Sequence, residues 1–229
     1  MTREVFTTSG SWVCPIGITE ITVECWGGGG AGSDGYSTTT AGCGGGGGAY
    51  AKKICSVIPG NTYSFTVGIG GRYNAIVSGL REAGGDSQFN SNEVLAKGGG
   101  GGNSSIAGVG GNASNCIGDI CYSGGNGGTK YNNANGTGGG GGAGTTQNGF
   151  NGGSGSSGSL IGGAGGFEYG GRGGNAVKES NGENGQPYGG GGAGSERSSG
   201  HPGSGGTGAV IISYEEPVLN NSAFLALLV

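Results

Sequence analysis

The side chains in this sequence that could carry covalent or metal chemistry are few, and their spacing does not assemble a site. The one histidine, His201, sits in Gly200-His201-Pro202-Gly203 with no carboxylate or cysteine beside it. A general base needs a nucleophile in reach and a third group to orient it, so His201 reads as a solvated loop residue. Six cysteines, Cys14, Cys25, Cys43, Cys55, Cys116 and Cys121, lack both C-x-x-C spacing and histidine partners, which argues against zinc. Cys116 and Cys121 are spaced to close a small disulfide loop; buried free thiols are the alternative for cysteines on or beside strands. Glycine patterns of the phosphate-binding kind arise by chance at this glycine density, and no G-K-[ST] ends any run. No catalytic, metal-binding or cofactor-binding residue is therefore expected, and the chain does not read as an enzyme. What remains is tyrosine. Tyr36, Tyr73, Tyr122, Tyr131 and Tyr188 fall between glycine runs, where a large amphipathic ring suits contact with a glycan or protein. Aromatic plugs at the ends of a glycine-rich body are the competing reading for each.

Those tyrosines must be positioned by a most unusual chain. Of 229 residues, 66 are glycine, and only 10% are charged. Glycine averages about 7% of proteins and costs about 1 kcal/mol against alanine at each helical position, so packed helices are excluded through most of the sequence. Five prolines cannot support a collagen array. A formal charge of −4 and a pI near 4.9 leave no basic surface for nucleic acid.

All but three of the glycines, Gly10, Gly17 and Gly208, lie between Gly27 and Gly206. Strand chemistry, β-branched and aromatic, marks residues 4–8, 11–14, 19–26, 49–57, 62–68, 93–97 and 209–214. Within 19–26, Ile21, Val23 and Cys25 share one face, and Thr22, Glu24 and Trp26 the other. Strands at both ends predict that the first and last segments pair. The expectation is an all-β fold: a small antiparallel β-sandwich with a large glycine-rich insertion, forming one domain over residues 1–216.

For the insertion, two states compete. Gly/Ser-rich sequence without a fixed period suits a flexible chain. The alternative is packing as polyglycine II helices, extended left-handed helices of three residues per turn whose N–H and C=O groups point sideways. Glycine bares the faces through which such helices bond to each other. Runs 44–48, 98–102 and 138–142 bare all three faces and suit the interior; G-G-x repeats suit a rim, with polar Asn126, Thr129, Arg172 and Asn175 turned outward. Fusion of the glycine runs to strand ends favours the packed state, in which a Cβ at a mid-run position such as Gly100 would be damaging.

An ordered series of motifs carries a resemblance. It begins with Phe6-Thr7-x-Ser9-Gly10-x-Trp12-x-x-Pro15-x-Gly17-Ile18-Thr19, then Ile21-Thr22-Val23-Glu24-Cys25-Trp26 and the first glycines. Gly46-Gly47-Gly48-Ala49-Tyr50-Ala51-Lys52-Lys53, Pro59-Gly60-Asn61-Thr62-Tyr63, Gly84-Gly85-Asp86-Ser87-x-Phe89 and Gly208-Ala209-Val210-Ile211-Ile212-Ser213-Tyr214 continue it. Residues 4 to 214 resemble the glycine-rich domain of bacteriophage tail-fibre and tail-associated proteins and of some bacterial surface proteins. The resemblance implies a β-sandwich carrying a glycine-rich bundle, in a structural or adhesive role. Six cysteines and the segment 217–229 depart from the family pattern.

The expected function is thus a virion structural protein, a tail-fibre or tail-tip component contacting a host surface; the alternative is a subunit of a bacterial extracellular filament or surface layer. Virion or extracellular placement goes with no apolar leader at the N-terminus, and a virion protein released by lysis needs none. Residues 217–229 read as a separate tail. Its seven closing apolar residues are too few to span a bilayer, which needs about 20. Phe224, Leu225, Leu227, Leu228 and Val229 are expected to dock on another subunit, making a homo-oligomer.

Overall fold

The computed structural model describes residues 1–35, 41–73, 81–130, 136–155, 161–176, 181–195 and 200–217. The strands follow the apolar and β-branched runs: β1 Thr2–Phe6, β2 Gly10–Val13, β3 Glu20–Trp26, β4 Tyr50–Ser56, β5 Thr62–Thr66, β6 Ser87–Phe89, β7 Val94–Ala96, β8 Ile120–Tyr122 and β9 Ala209–Tyr214. They form two antiparallel sheets, ordered β1-β9-β3-β4-β8 and β2-β5-β6-β7. Among the described residues there is no α-helix, and Ala113–Asn115 makes one short 3-10 turn.

The chain ends do pair: Thr2 stands opposite Tyr214 and Phe6 opposite Val210. β9 then bonds β3, so the last strand is inserted between the first and third. Ile21, Val23 and Cys25 of β3 bury completely or nearly so, joined by Val210, Ile212, Ala51 and Cys55 from the same sheet. Trp12, Phe65, Phe89 and Val94 close this core from the other sheet. The alternation of β3 is real, but its other face is not simply wet. Trp26 is fully buried, in a second cluster with Tyr50, Ala209, Ile211 and Ala143. β9 is therefore buried on both faces, which explains why its sequence is apolar without alternation.

Ala143 belongs to the glycine-rich segments, and these are bonded to one another in a regular way. From Gly27, every third N–H meets one neighbour: Gly27, Gly30 and Ser33 donate to Ala49, Gly46 and Cys43 at 2.8–2.9 Å. Gly28 and Ala31 donate instead to Gly85 and Glu82, while Gly29 and Gly32 donate to Gly206 and Gly203. Residues 41–49 donate to segments 189–195, 97–103 and 125–128, and accept from 27–33, 108–111 and 140–143. That segment is enclosed on six sides, with its N–H groups serving three neighbours and its C=O groups the other three. Of the described glycines beyond Gly60, Gly189 alone has positive φ, at 84°.

At the edge of this body, asparagine completes the bonding. The Asn126 side-chain oxygen accepts the Gly110 N–H at 2.9 Å, and Asn151 accepts that of Asn126 at 2.8 Å. Asn148 and Asn184 do the same for Ser123 and Ser204. Asn126 and Thr129 are exposed, and Arg172 and Asn175 half-buried, as a polar rim requires. Gly100 is tight, but it is the milder case. A Cβ there would approach nothing closer than 3.3 Å, whereas one on Gly47 would overlap the Gly141 carbonyl.

Candidate functional site

Beside the second core cluster, aromatic rings reach the surface next to charged groups. Trp26 ends β3, and Tyr50 stands opposite it at the start of β4. Their rings pack at 4.8 Å between centroids. Tyr122 on the edge strand β8 pairs with Tyr50 and stacks on it at 6.2 Å with an 18° interplanar angle. Two turns in the glycine region supply the rest: Tyr188 meets the Trp26 ring edge-on at 5.2 Å, and Tyr169 lies 5.6 Å from Tyr188. The Trp26 indole N–H donates to the Ala143 carbonyl at 3.0 Å, tying the sheet to the glycine body.

Around these rings opens a cleft of about 480 Å³ lined by Arg3, Glu24, Tyr50, Lys52, Tyr122, Thr145, Thr146, Glu168 and Tyr169, among others. Its polar groups are held in place. The Tyr50 hydroxyl donates to Glu24 at 2.6 Å, and burial together with that carboxylate pushes the phenol well above its ordinary pKa. Thr145 donates to Glu168 at 2.8 Å. The Arg3 guanidinium lies 4.6 Å over the Tyr169 ring and bonds its hydroxyl at 3.3 Å. Lys52, across the ladder from Glu24, makes no ion pair among the described residues.

Of the tyrosines singled out in the sequence, Tyr122 and Tyr188 belong to this cluster. Tyr73 lies elsewhere: its hydroxyl donates to Asp34 at 2.9 Å, and Asp34 also pairs with Arg81. Its ring is 6.0 Å from the exposed His201. Tyr36 and Tyr131 fall outside the described residues, as do Phe224, Leu225, Leu227, Leu228 and Val229. The sequence reading missed Trp26, Tyr50 and Tyr169. For Tyr169 a signal existed, since Phe167-Glu168-Tyr169 interrupts two Gly-Gly pairs.

The cysteines lie apart from the cleft. All six are free thiols, so of the two readings for Cys116 and Cys121 the structure carries the unbonded one. The Cys116 thiol donates to the Asn112 carbonyl at 3.4 Å and the Cys121 thiol to that of Gly118 at 3.9 Å, and burial raises both, Cys116 to about 11. Burial likewise lifts Cys55 to about 12 and Cys25 further. Protonated thiols at neutral pH are poor nucleophiles and poor metal ligands. Among the described residues, no three His, Cys, Asp or Glu side chains gather closely enough for a metal ion.

Set against known proteins, this sequence fits one family model, described as Glycine-rich domain, over residues 5–215. That span runs from within β1 to just past β9. The chain matches no curated protein.

Proposed function

The chain belongs to the glycine-rich domain family, and from that membership we propose that it is a structural and adhesive component of an extracellular assembly, a virion tail fibre or tail tip. The glycine segments act as the rigid body of this component, packed as polyglycine II helices. The observation that carries the reading is the three-residue rotation of hydrogen bonds, with Gly27, Gly28 and Gly29 each serving a different neighbour. Three residues per turn is the period of that helix. A body bonded through its backbone in every lateral direction keeps its shape without a large apolar core. It leaves the rim, the loops and the aromatic cleft free to vary.

Adhesion would fall to those surfaces, with subunits joined through residues 218–229 as a homo-oligomer. Gold-labelled antibody raised against the purified chain, applied to particles and to the cells that produce them, tests the placement. Decoration of virion tails is expected. Label confined to cell-surface filaments would replace the reading with its alternative, a filament or surface-layer subunit, and label confined to the cell interior would overturn both.

A further inference from the structure

We propose that the cleft between the β4–β8 edge and the 167–169 turn binds a hexose unit of a surface glycan. This deepens the adhesive reading above and rests on it. A pyranose ring offers an apolar C–H face and a rim of hydroxyls that both donate and accept. The cleft matches both. Tyr122 and Tyr169 supply aromatic surface above the fully buried Tyr50, and Arg3 and Lys52 supply donors. Glu24 and Glu168 supply acceptors, and the Thr146 hydroxyl serves either way. Two cations balance two carboxylates, which suits a neutral sugar better than a phosphate or a basic peptide. The volume of about 480 Å³ lies within the roughly 300–1,000 Å³ of small-molecule sites.

The arrangement is also fixed in advance. Trp26 is buried beneath the rings, Glu24 is held by Tyr50, and Glu168 is held by Thr145. Prior ordering lowers the entropy lost when a ligand binds. Backbone strain is kept at the same place: Glu168 and Tyr169 have φ of 53° and 66°, in the left-handed region that side chains disfavour. Tyr188 has the same conformation, at 66°, and is partly covered against Trp26. Tyr169 remains 49% exposed, so about half of its surface is open to a ligand.

An array of bacterial surface glycans and simple oligosaccharides, probed with the full chain, is the test. Binding to at least one glycan class is expected. Lys52→Met and Glu168→Gln, which leave the aromatic packing intact, should each weaken it about tenfold or more. Tyr169→Phe should retain most of it and Tyr169→Ala little, with thermal unfolding confirming that each variant folds. Ile106→Ser, outside the cleft, should leave it unchanged. No glycan bound, or binding indifferent to Lys52→Met and Glu168→Gln, overturns the proposal. Antibody decoration of tails is read independently, so a failed array leaves the structural reading standing and a failed decoration leaves the array result interpretable.

Discussion

At the scale of single residues, the structure sorts glycines that look alike in the sequence. A Cβ on Gly47 would overlap the carbonyl of Gly141, whereas on Gly100 its nearest neighbours, the Val109 backbone N and O, lie 3.3 Å away. Gly47→Ala is accordingly expected to cost about 3 kcal/mol or more in urea unfolding, and Gly100→Ala about 1 kcal/mol or less. Equal losses would show that register does not decide tolerance. The sequence shows a run of glycines but not which neighbour each one faces, and so Gly100 was legible only as one of five. Asparagine was legible as polar rim, not as a hydrogen-bond acceptor for the next segment. Asn126→Asp keeps an acceptor for the Gly110 N–H, and Asn126→Leu removes it. The leucine variant should lose about 1 kcal/mol more than the aspartate one.

Among the elements, the strongest sequence signals gave the most accurate bounds. Ala209–Tyr214, an unbroken β-branched and aromatic run, is β9 to the residue. Ser87–Phe89 and Ile120–Tyr122 were missed because each is three residues with no strand-like flank, unlike the equally short Val94–Ala96 inside the run 93–97, and their partners across the ladder define them. Trp26 was placed correctly on the face opposite Ile21, Val23 and Cys25, but that face is roofed by Ala143 from far along the chain. Local sequence carries no trace of such a contact. Trp26→Phe keeps a ring there and deprives the Ala143 carbonyl of its donor. A loss of about 1–3 kcal/mol is expected by urea unfolding. Buried and half-buried acids on and beside the strands set alkaline stability. Cys55 is raised to about 12, Cys116 to about 11, and Tyr214 to about 12, first by burial and, for Tyr214, by its bond to Glu4. Their folded pKa values exceed the ordinary 9.0 and 10.0 that the unfolded chain restores. The unfolded state therefore loses protons first as pH rises, and stability is full below pH 9 and declines from there toward 12. Thermal unfolding from pH 7 to 11 should show a flat midpoint giving way to a fall above about 9; a midpoint rising in that window would contradict these buried groups.

On the scale of the whole molecule, the sandwich gives the glycine segments fixed starting points, and the segments give the sandwich its second covered face. The all-β class and the pairing of first and last strands were legible because the ends have ordinary strand sequence. The aromatic cluster was half legible: Tyr122 and Tyr188 were found by their place between glycine runs, while Tyr50 and Tyr169 join them only through the fold. Subunit joining through residues 218–229 is testable by deleting them: the shortened chain should have the solution mass of a monomer where the full chain has that of an oligomer, and equal assembly would refute the tail contact. Everything else rests on the glycine segments being a bonded solid rather than a loose insertion. Amide hydrogen exchange, resolved by residue on the native full chain, measures that directly. The N–H groups of Gly45, Gly47, Gly140 and Gly141 each donate to a neighbouring segment at 2.8–2.9 Å, and they are expected to exchange as slowly as those of Val23 and Ile211 in the sheet. Exchange of these glycine amides at the rate of an open chain, while the sheet stays protected, would contradict the account.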